Sequence, residues 1–160
     1  MSFTLAFFTL LPVQAQKCKY ITNEKDPITG DLIRKTRQVS TNSLDIHFYR
    51  KNDEFKILLG YNVNGKYDII VSQGSNVFIK LEDGSIIKLE SLSDAIPAYN
   101  PTMRWTYFEL SCNISREGIE MINSGKVNFF RIVESENSNR DFLVEKDKWI
   151  KEIASCILSE

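Results

Sequence analysis

Three residues with chemically useful side chains alternate along one predicted strand, namely Asp45, His47 and Tyr49. Side chains two residues apart lie on the same face of a strand, so the three can share one surface. A carboxylate beside an imidazole can orient the ring for general acid–base catalysis. His47 is the only histidine, and no recognisable nucleophile accompanies it. We therefore favour a half-covered strand histidine and assign no catalytic residue.

Carboxylates are spread along many predicted strands, and glycoside hydrolysis needs only two of them at a suitable separation. Glu109 is the most unusual, because it interrupts an aromatic strand. A salt-bridged or edge-exposed carboxylate is the simpler interpretation. A small hydrolase that uses surface carboxylates or the row Asp45, His47 and Tyr49 is thus the alternative function.

The candidate binding residues combine aromatic rings with a guanidinium. Tyr99, Arg104, Trp105 and Tyr107 are close in sequence, and such side chains can stack on a sugar or a peptide. Burial in the core is the competing expectation for aromatic residues in strands.

Motifs for phosphate, nucleotide and zinc binding are missing from the sequence. We therefore expect no cofactor and no metal. The 20 Lys+Arg and 21 Asp+Glu give a formal net charge of -1, which provides no general attraction to nucleic acid or to anionic lipid. Lys35 belongs to a modestly basic region that we expect to form a solvated edge strand.

The elements that must position these residues begin with a run of alternating apolar and polar residues from about residue 44 to residue 89. This period predicts an antiparallel meander of about five strands. A two-residue loop at Asn52-Asp53 pairs Phe48 with Ile57. Three-residue loops that end in Gly65 and Gly84 produce further apolar pairs, among them Tyr61 with Tyr67, Leu59 with Ile69 and Ile79 with Ile87. Apolar patches on both faces require cover, or a curl into a barrel or sandwich.

The C-terminal half is predicted to form a β-α-β unit followed by a helix. We expect strands over 103–112 and 127–134, with a short strand over 141–144. The first helix is expected over 116–123, with Ser115 as N-cap and Gly125 beyond its end. A final helix over 145–158 places Trp149, Ile150, Ile153, Ala154 and Ile157 on the side that packs on the sheet. The predicted fold class is α+β.

The first residues differ from the rest of the chain. No charge occurs before Lys17, and an apolar run ends in Val13-Gln14-Ala15, a small-residue pattern typical of signal-peptide cleavage. We expect a signal peptide over 1–15, with its basic start missing, and a single domain over 16–160. Of the whole chain, 42% is hydrophobic and 26% charged, as in an ordinary globular domain.

Export implies an oxidising compartment, in which three cysteines allow one bridge and one leftover thiol. We favour Cys112 and Cys156 as small buried residues over a bridge between them. Lipidation of Cys18 is disfavoured, because Lys17 puts a charge directly before it.

Several segments suggest a family: the junction VQAQ, the turn Asp26-Pro27-Ile28-Thr29-Gly30, the hairpin IKLEDGSIIKLES, and ISREGI followed by 126–132. They resemble small secreted proteins of Bacteroidota with no assigned activity. The resemblance implies location and fold rather than chemistry. The leading hypothesis is an exported non-enzymatic module that binds a protein, peptide or glycan in the periplasm or at the cell surface, without nucleic acid binding or stable membrane insertion. A structural component of an envelope assembly is a further alternative.

Overall fold

A computed structural model describes residues 18–159. Within this range the chain forms eleven strands and two helices: β1 (Tyr20–Lys25), β2 (Leu32–Thr36), β3 (Val39–Thr41), β4 (Leu44–Lys51), β5 (Glu54–Asn64), β6 (Asn76–Leu81), β7 (Ile86–Glu90), β8 (Ala98–Asn100), β9 (Trp105–Asn113), α1 (Arg116–Ser124), β10 (Val127–Ser135), β11 (Ser138–Leu143) and α2 (Asp147–Leu158). The expected signal peptide lies outside the described residues.

The strands form two antiparallel sheets. The seven-stranded sheet has the order β1-β2-β4-β5-β9-β8, with β3 also paired to β4, and the four-stranded sheet has the order β11-β10-β6-β7. Over the described residues neither sheet closes on itself. The predicted combination of antiparallel strands with two helices, one of them C-terminal, is therefore confirmed, whereas the single meander is not.

Two of the predicted hairpins are confirmed in register. Phe48 lies opposite Ile57 across the Asn52-Asp53 turn, with Asn52 at a φ of 54°. Ile79 lies opposite Ile87, and Gly84 closes their turn at a φ of 91°. A positive φ is strained for residues with a Cβ, which explains the glycine.

The predicted strand that pairs Tyr67 and Ile69 with β5 is wrong, because β5 is followed by no strand before β6. Gly65 has the expected positive φ of 84°, but its N–H donates to the Arg104 carbonyl rather than closing a hairpin. Instead β5 continues to Asn64 and pairs along its length with β9. That pairing stacks Tyr61 on Phe108 with 4.8 Å between ring centroids, whereas Ile70 is left 49% exposed.

The helices begin and end close to the predicted positions. Ser115 Oγ accepts the Gly118 N–H at 3.1 Å, which confirms the N-cap of α1. The α1 helix connects β9 of one sheet to β10 of the other and packs against α2. Trp149 is an exception to the expected buried stripe of α2: it is 44% exposed and lies beneath the Arg37 guanidinium.

One side of the seven-stranded sheet forms the core. Leu44, Ile46 and Phe48 of β4 are fully buried and belong to the same cluster as Ile150 and other apolar residues of α2. Further along the same side, β5 meets the four-stranded sheet, where the Tyr61 ring packs edge-on against Phe142. The four-stranded sheet and α2 therefore together cover this face of the seven-stranded sheet.

The cysteines match the expectation in part: Cys112 and Cys156 are both buried and no bridge joins them, but Cys156 is not free. Cys156 forms a disulfide with Cys18, with 5.4 Å between Cα atoms, and Cys112 alone is a buried free thiol. Cys156 is thus not a free core residue, because the start of the described chain lies beside the last turn of α2. Tyr20 Oη, which donates to the Cys156 carbonyl at 2.7 Å, fixes the same junction.

Among residues 18–159 no helix has the length and apolar character that crossing a membrane requires.

Candidate functional site

The other side of the seven-stranded sheet is the face on which most of the candidate residues lie. Along β4 the core-facing side chains are buried, whereas Asp45, His47 and Tyr49 are half-buried. The same alternation in β9 leaves Trp105 and Tyr107 half-buried and Glu109 exposed. We call this side of the sheet, with its half-buried and exposed side chains, the outer face.

At the centre of the outer face, a glycine separates two carboxylates. The register places Gly60 of β5 opposite Asp45 on one neighbouring strand and opposite Glu109 on the other. The Tyr107 ring lies directly against Gly60, and a Cβ at that position would collide with the phenol oxygen and stand 3.0 Å from Cζ. Glycine within a strand often marks such a close approach. Gly60 therefore allows Tyr107 to lie along the sheet rather than project from it.

A small cavity of about 40 Å³ lies beside this ring. Two leucines of β5 contribute to its wall, and the other lining residues are Lys35, Asp45, His47, Gly60, Tyr107 and Glu109. Lys35 comes from β2 and the others come from β4, β5 and β9. Four strands thus converge on a cavity whose lining is largely polar.

The His47 imidazole is held in its neutral form. Burial lowers its pKa and the charge of Lys35 lowers it further, against the opposing effects of the Thr36 hydrogen bond and of Asp45 and Glu109. Its Nδ1 donates to the Thr36 carbonyl at 3.2 Å, because a carbonyl only accepts. In the neutral ring Nε2 is then an acceptor.

The Tyr107 hydroxyl keeps its proton. Burial raises the pKa of the phenol, and the Glu109 and Asp45 carboxylates raise it further. The hydroxyl can therefore both donate and accept a hydrogen bond.

The structure separates the four residues of the predicted binding site. Trp105 and Tyr107 lie together on the outer face, since they are two residues apart on β9. Tyr99 lies opposite Thr106 in the register, and Thr106 faces the core, so Tyr99 is on the other side of the sheet. Arg104 is an exposed turn residue at a φ of 55°. The aromatic pair Trp105 and Tyr107 is the part of the site that remains together.

The row Asp45, His47 and Tyr49 does share one surface, as predicted. Asp45 and His47 reach the cavity, but Tyr49 does not line it. Asp45 accepts a hydrogen bond from Ser40 Oγ of β3. In the described part of the chain no group of three His, Cys, Asp or Glu side chains is placed to hold a metal ion. The arrangement offers hydrogen-bond donors and acceptors to a ligand.

Two residues of this site were not identified from the sequence. Gly60 lies in an apolar stretch, where a glycine is itself a signal of close packing. Lys35 was assigned to a solvated edge strand. Near them, Asn62 Oδ1 and Trp105 Nε1 are buried and have no hydrogen-bond partner among the described residues.

Two larger hollows lie at the far end of β9, with volumes of about 440 and 600 Å³. Both include Leu92 and Asn113. Their charged side chains lie at a turn or an edge, such as Asp53 with its side chain 95% exposed and Lys88 at 56%. Exposed charges are well solvated and hold a ligand weakly. We therefore place the candidate site at Gly60.

Comparison of the chain with protein-family models, with curated protein sequences and with solved structures gives no match.

Proposed function

We propose that the protein is an exported, non-enzymatic module that binds a protein, peptide or glycan through its outer face. The observation that carries this proposal is the Tyr107 ring, which lies along the sheet over Gly60 beside a polar cavity. Half-buried Trp105 is next to it on the same face. Aromatic rings that present both an apolar body and a polar group are typical of binding surfaces.

The export part of the proposal is supported by the Cys18–Cys156 disulfide. Disulfides persist in oxidising compartments such as the periplasm or the extracellular space and are rare in the cytosol. The apolar leader expected over 1–15, the single domain from residue 16 and the Bacteroidota resemblance belong to the same proposal.

Binding is better supported than hydrolysis by the size of the cavity. A volume of about 40 Å³ is small, since about 10–15 Å³ of such space already holds one water molecule. The cavity that gathers Asp45, His47 and Glu109 therefore offers contacts to one part of a ligand and does not surround the scissile bond of a substrate.

The proposal can be tested by affinity capture. The disulfide-bonded protein is immobilised and exposed to an envelope extract of the source organism, and the bound proteins and glycans are identified by mass spectrometry. We expect specific capture by the wild type and its loss with Trp105→Ala and with Tyr107→Ala, because each removes a ring from the outer face.

Matched controls separate the outer face from aromatic surface in general. Tyr99→Ala removes an exposed ring on the other side of the sheet, and Trp149→Ala removes one on α2. Both should retain capture. Thermal unfolding of every variant checks that the fold is intact. Capture that survives both outer-face substitutions in folded protein would contradict the proposed surface.

A further inference from the structure

We propose that the outer face binds a neutral carbohydrate, with one hydroxyl-bearing group in the cavity at Gly60 and the sugar ring on Tyr107 and Trp105. This inference rests on the proposed function and names the class of ligand. It is carried by three features of the site: its mixed hydrogen-bonding groups, the sign of its charges, and its size.

The lining of the cavity supplies donors and acceptors together. Lys35 provides only donors, and the carboxylates of Asp45 and Glu109 provide only acceptors. The Tyr107 hydroxyl does both. A sugar hydroxyl also donates and accepts at the same atom, so it can be satisfied by a mixed lining of this kind. A ligand group that only donates or only accepts can use only part of this lining.

The charges of the lining disfavour an anion. Asp45 and Glu109 bring two negative charges against the one positive charge of Lys35, so an anionic ligand is repelled. A neutral polar group can enter the cavity without losing the hydration of a charge of its own.

The size of the cavity limits what enters it. About 40 Å³ admits a single hydroxyl or hydroxymethyl group, and the ring that carries this group must remain outside. Tyr107 lines the cavity, and half-buried Trp105 lies two residues further along β9 on the same face, so the two rings can support the apolar face of a sugar. Recognition therefore involves one buried group and one stacked ring.

Gly60 positions this arrangement without touching the ligand's ring. It is buried beneath Tyr107, and any side chain would push the Tyr107 ring away from the sheet. A methyl group at residue 60 should therefore weaken carbohydrate binding, although it adds and removes no hydrogen-bonding group.

The test is a titration of the full, disulfide-bonded protein with four neutral probes, maltohexaose, cellohexaose, xylohexaose and mannohexaose. Binding is followed by calorimetry and by amide chemical shifts. We expect at least one probe to bind and to shift residues of β4, β5 and β9. Tyr107→Ala and Gly60→Ala should each weaken the affinity about tenfold or more. Tyr99→Ala should leave it unchanged.

Charged probes complete the design. Trigalacturonate and pentalysine should bind more weakly than the best neutral probe. The inference is overturned if none of the four neutral probes binds folded wild-type protein, if the shifts lie outside the outer face, if Tyr107→Ala leaves the affinity unchanged, or if a charged probe binds most tightly. The proposed function would survive that failure if affinity capture still yields a partner that Trp105→Ala abolishes.

Discussion

At the scale of single residues, the carboxylate of Glu134 joins the two sheets inside the molecule. Its side chain is fully buried, and both oxygens accept hydrogen bonds from the Arg140 guanidinium. Tyr61 of β5 donates to Oε1 at 2.9 Å, and Tyr67 donates to Oε2 at 3.1 Å. Tyr67 lies in the segment after β5, which the sequence predicts to be a strand. The network therefore holds this segment through Glu134, a residue of the other sheet.

Removing this charge should destabilise the protein. Glu134→Gln leaves Arg140 without its counter-ion at a half-buried position, and we expect a loss of about 3 kcal/mol in the free energy of unfolding by urea at neutral pH. The matched control is Asp141→Asn, which removes an ion pair with Arg131 whose side chains are 41% and 48% exposed. That change should cost less than about 1 kcal/mol. Equal losses in the two variants would contradict a special role for the buried network.

The same carboxyl makes stability depend on pH. Burial alone raises the pKa of Glu134, but the Arg140 and Tyr61 hydrogen bonds and the Arg140 charge outweigh it, so the pKa lies below its ordinary value of 4.5. The unfolded chain therefore binds the proton first as the pH falls. The stabilisation is present above pH 4.5 and is lost below it, so the difference between wild type and Glu134→Gln should shrink in acid. A difference that stays constant from about pH 6 to about pH 3 would contradict this assignment.

At the scale of elements, the start of α1 shows how one side chain fixes a boundary between β9 and a helix. Ser115 Oγ satisfies the Gly118 N–H, one of the first amides that lack a partner within a helix. Helix α1 in turn packs on α2 and so supports the cover of the core.

Loss of the cap should cost about 1 kcal/mol. Ser115→Ala removes the acceptor and leaves the amide to water, and chemical denaturation monitored by circular dichroism measures the change. The paired control is Ser124→Ala at the other end of α1, where the hydroxyl donates to the Glu120 carbonyl at 2.8 Å. That carbonyl is exposed and water can replace the hydroxyl, so we expect little effect. A larger loss at Ser124 than at Ser115 would refute the capping argument.

At the scale of the whole molecule, the two ends of the described chain are tied together. The Cys18–Cys156 disulfide spans a sequence separation of 138 residues. Arg34 of β2 and Arg50 of β4 donate to the Ser159 carbonyl, at 2.5 and 3.2 Å. These two arginines hold the end of α2 beside the disulfide. The junction closes one end of the core with both covalent and polar contacts.

Opening the disulfide should lower stability by about 3 to 5 kcal/mol, because closing so long a loop restricts the unfolded chain. Urea unfolding of the double variant Cys18→Ser, Cys156→Ser measures this loss, and excess reductant should bring the wild type to the same midpoint. Mass spectrometry without reduction should find the bridge in protein isolated from the source cells. An unchanged midpoint in the variant, or protein isolated with both thiols free, would contradict the assignment.

The local features of this protein follow from its sequence. The Asn52-Asp53 turn, the glycine turn at Gly84 and the Ser115 cap depend on contacts within a few residues, so turn and capping chemistry predict them correctly. The alternation along β4 also identifies which side chains share a face with His47, because the side-chain period of a strand is fixed.

Only the tertiary structure decided which distant segments meet. A turn rule pairs β5 with the next residues along the chain, yet β9 lies beside it, where Phe108 stacks on the buried ring of Tyr61. That choice places Tyr107 over Gly60 and makes Lys35 part of the wall of a cavity that β9 also lines. The Cys18–Cys156 bridge likewise depends on the tertiary structure, which brings the two cysteines together. Each of these contacts joins residues far apart in the chain, and its energy comes from the packed interior rather than from any local pattern of residues.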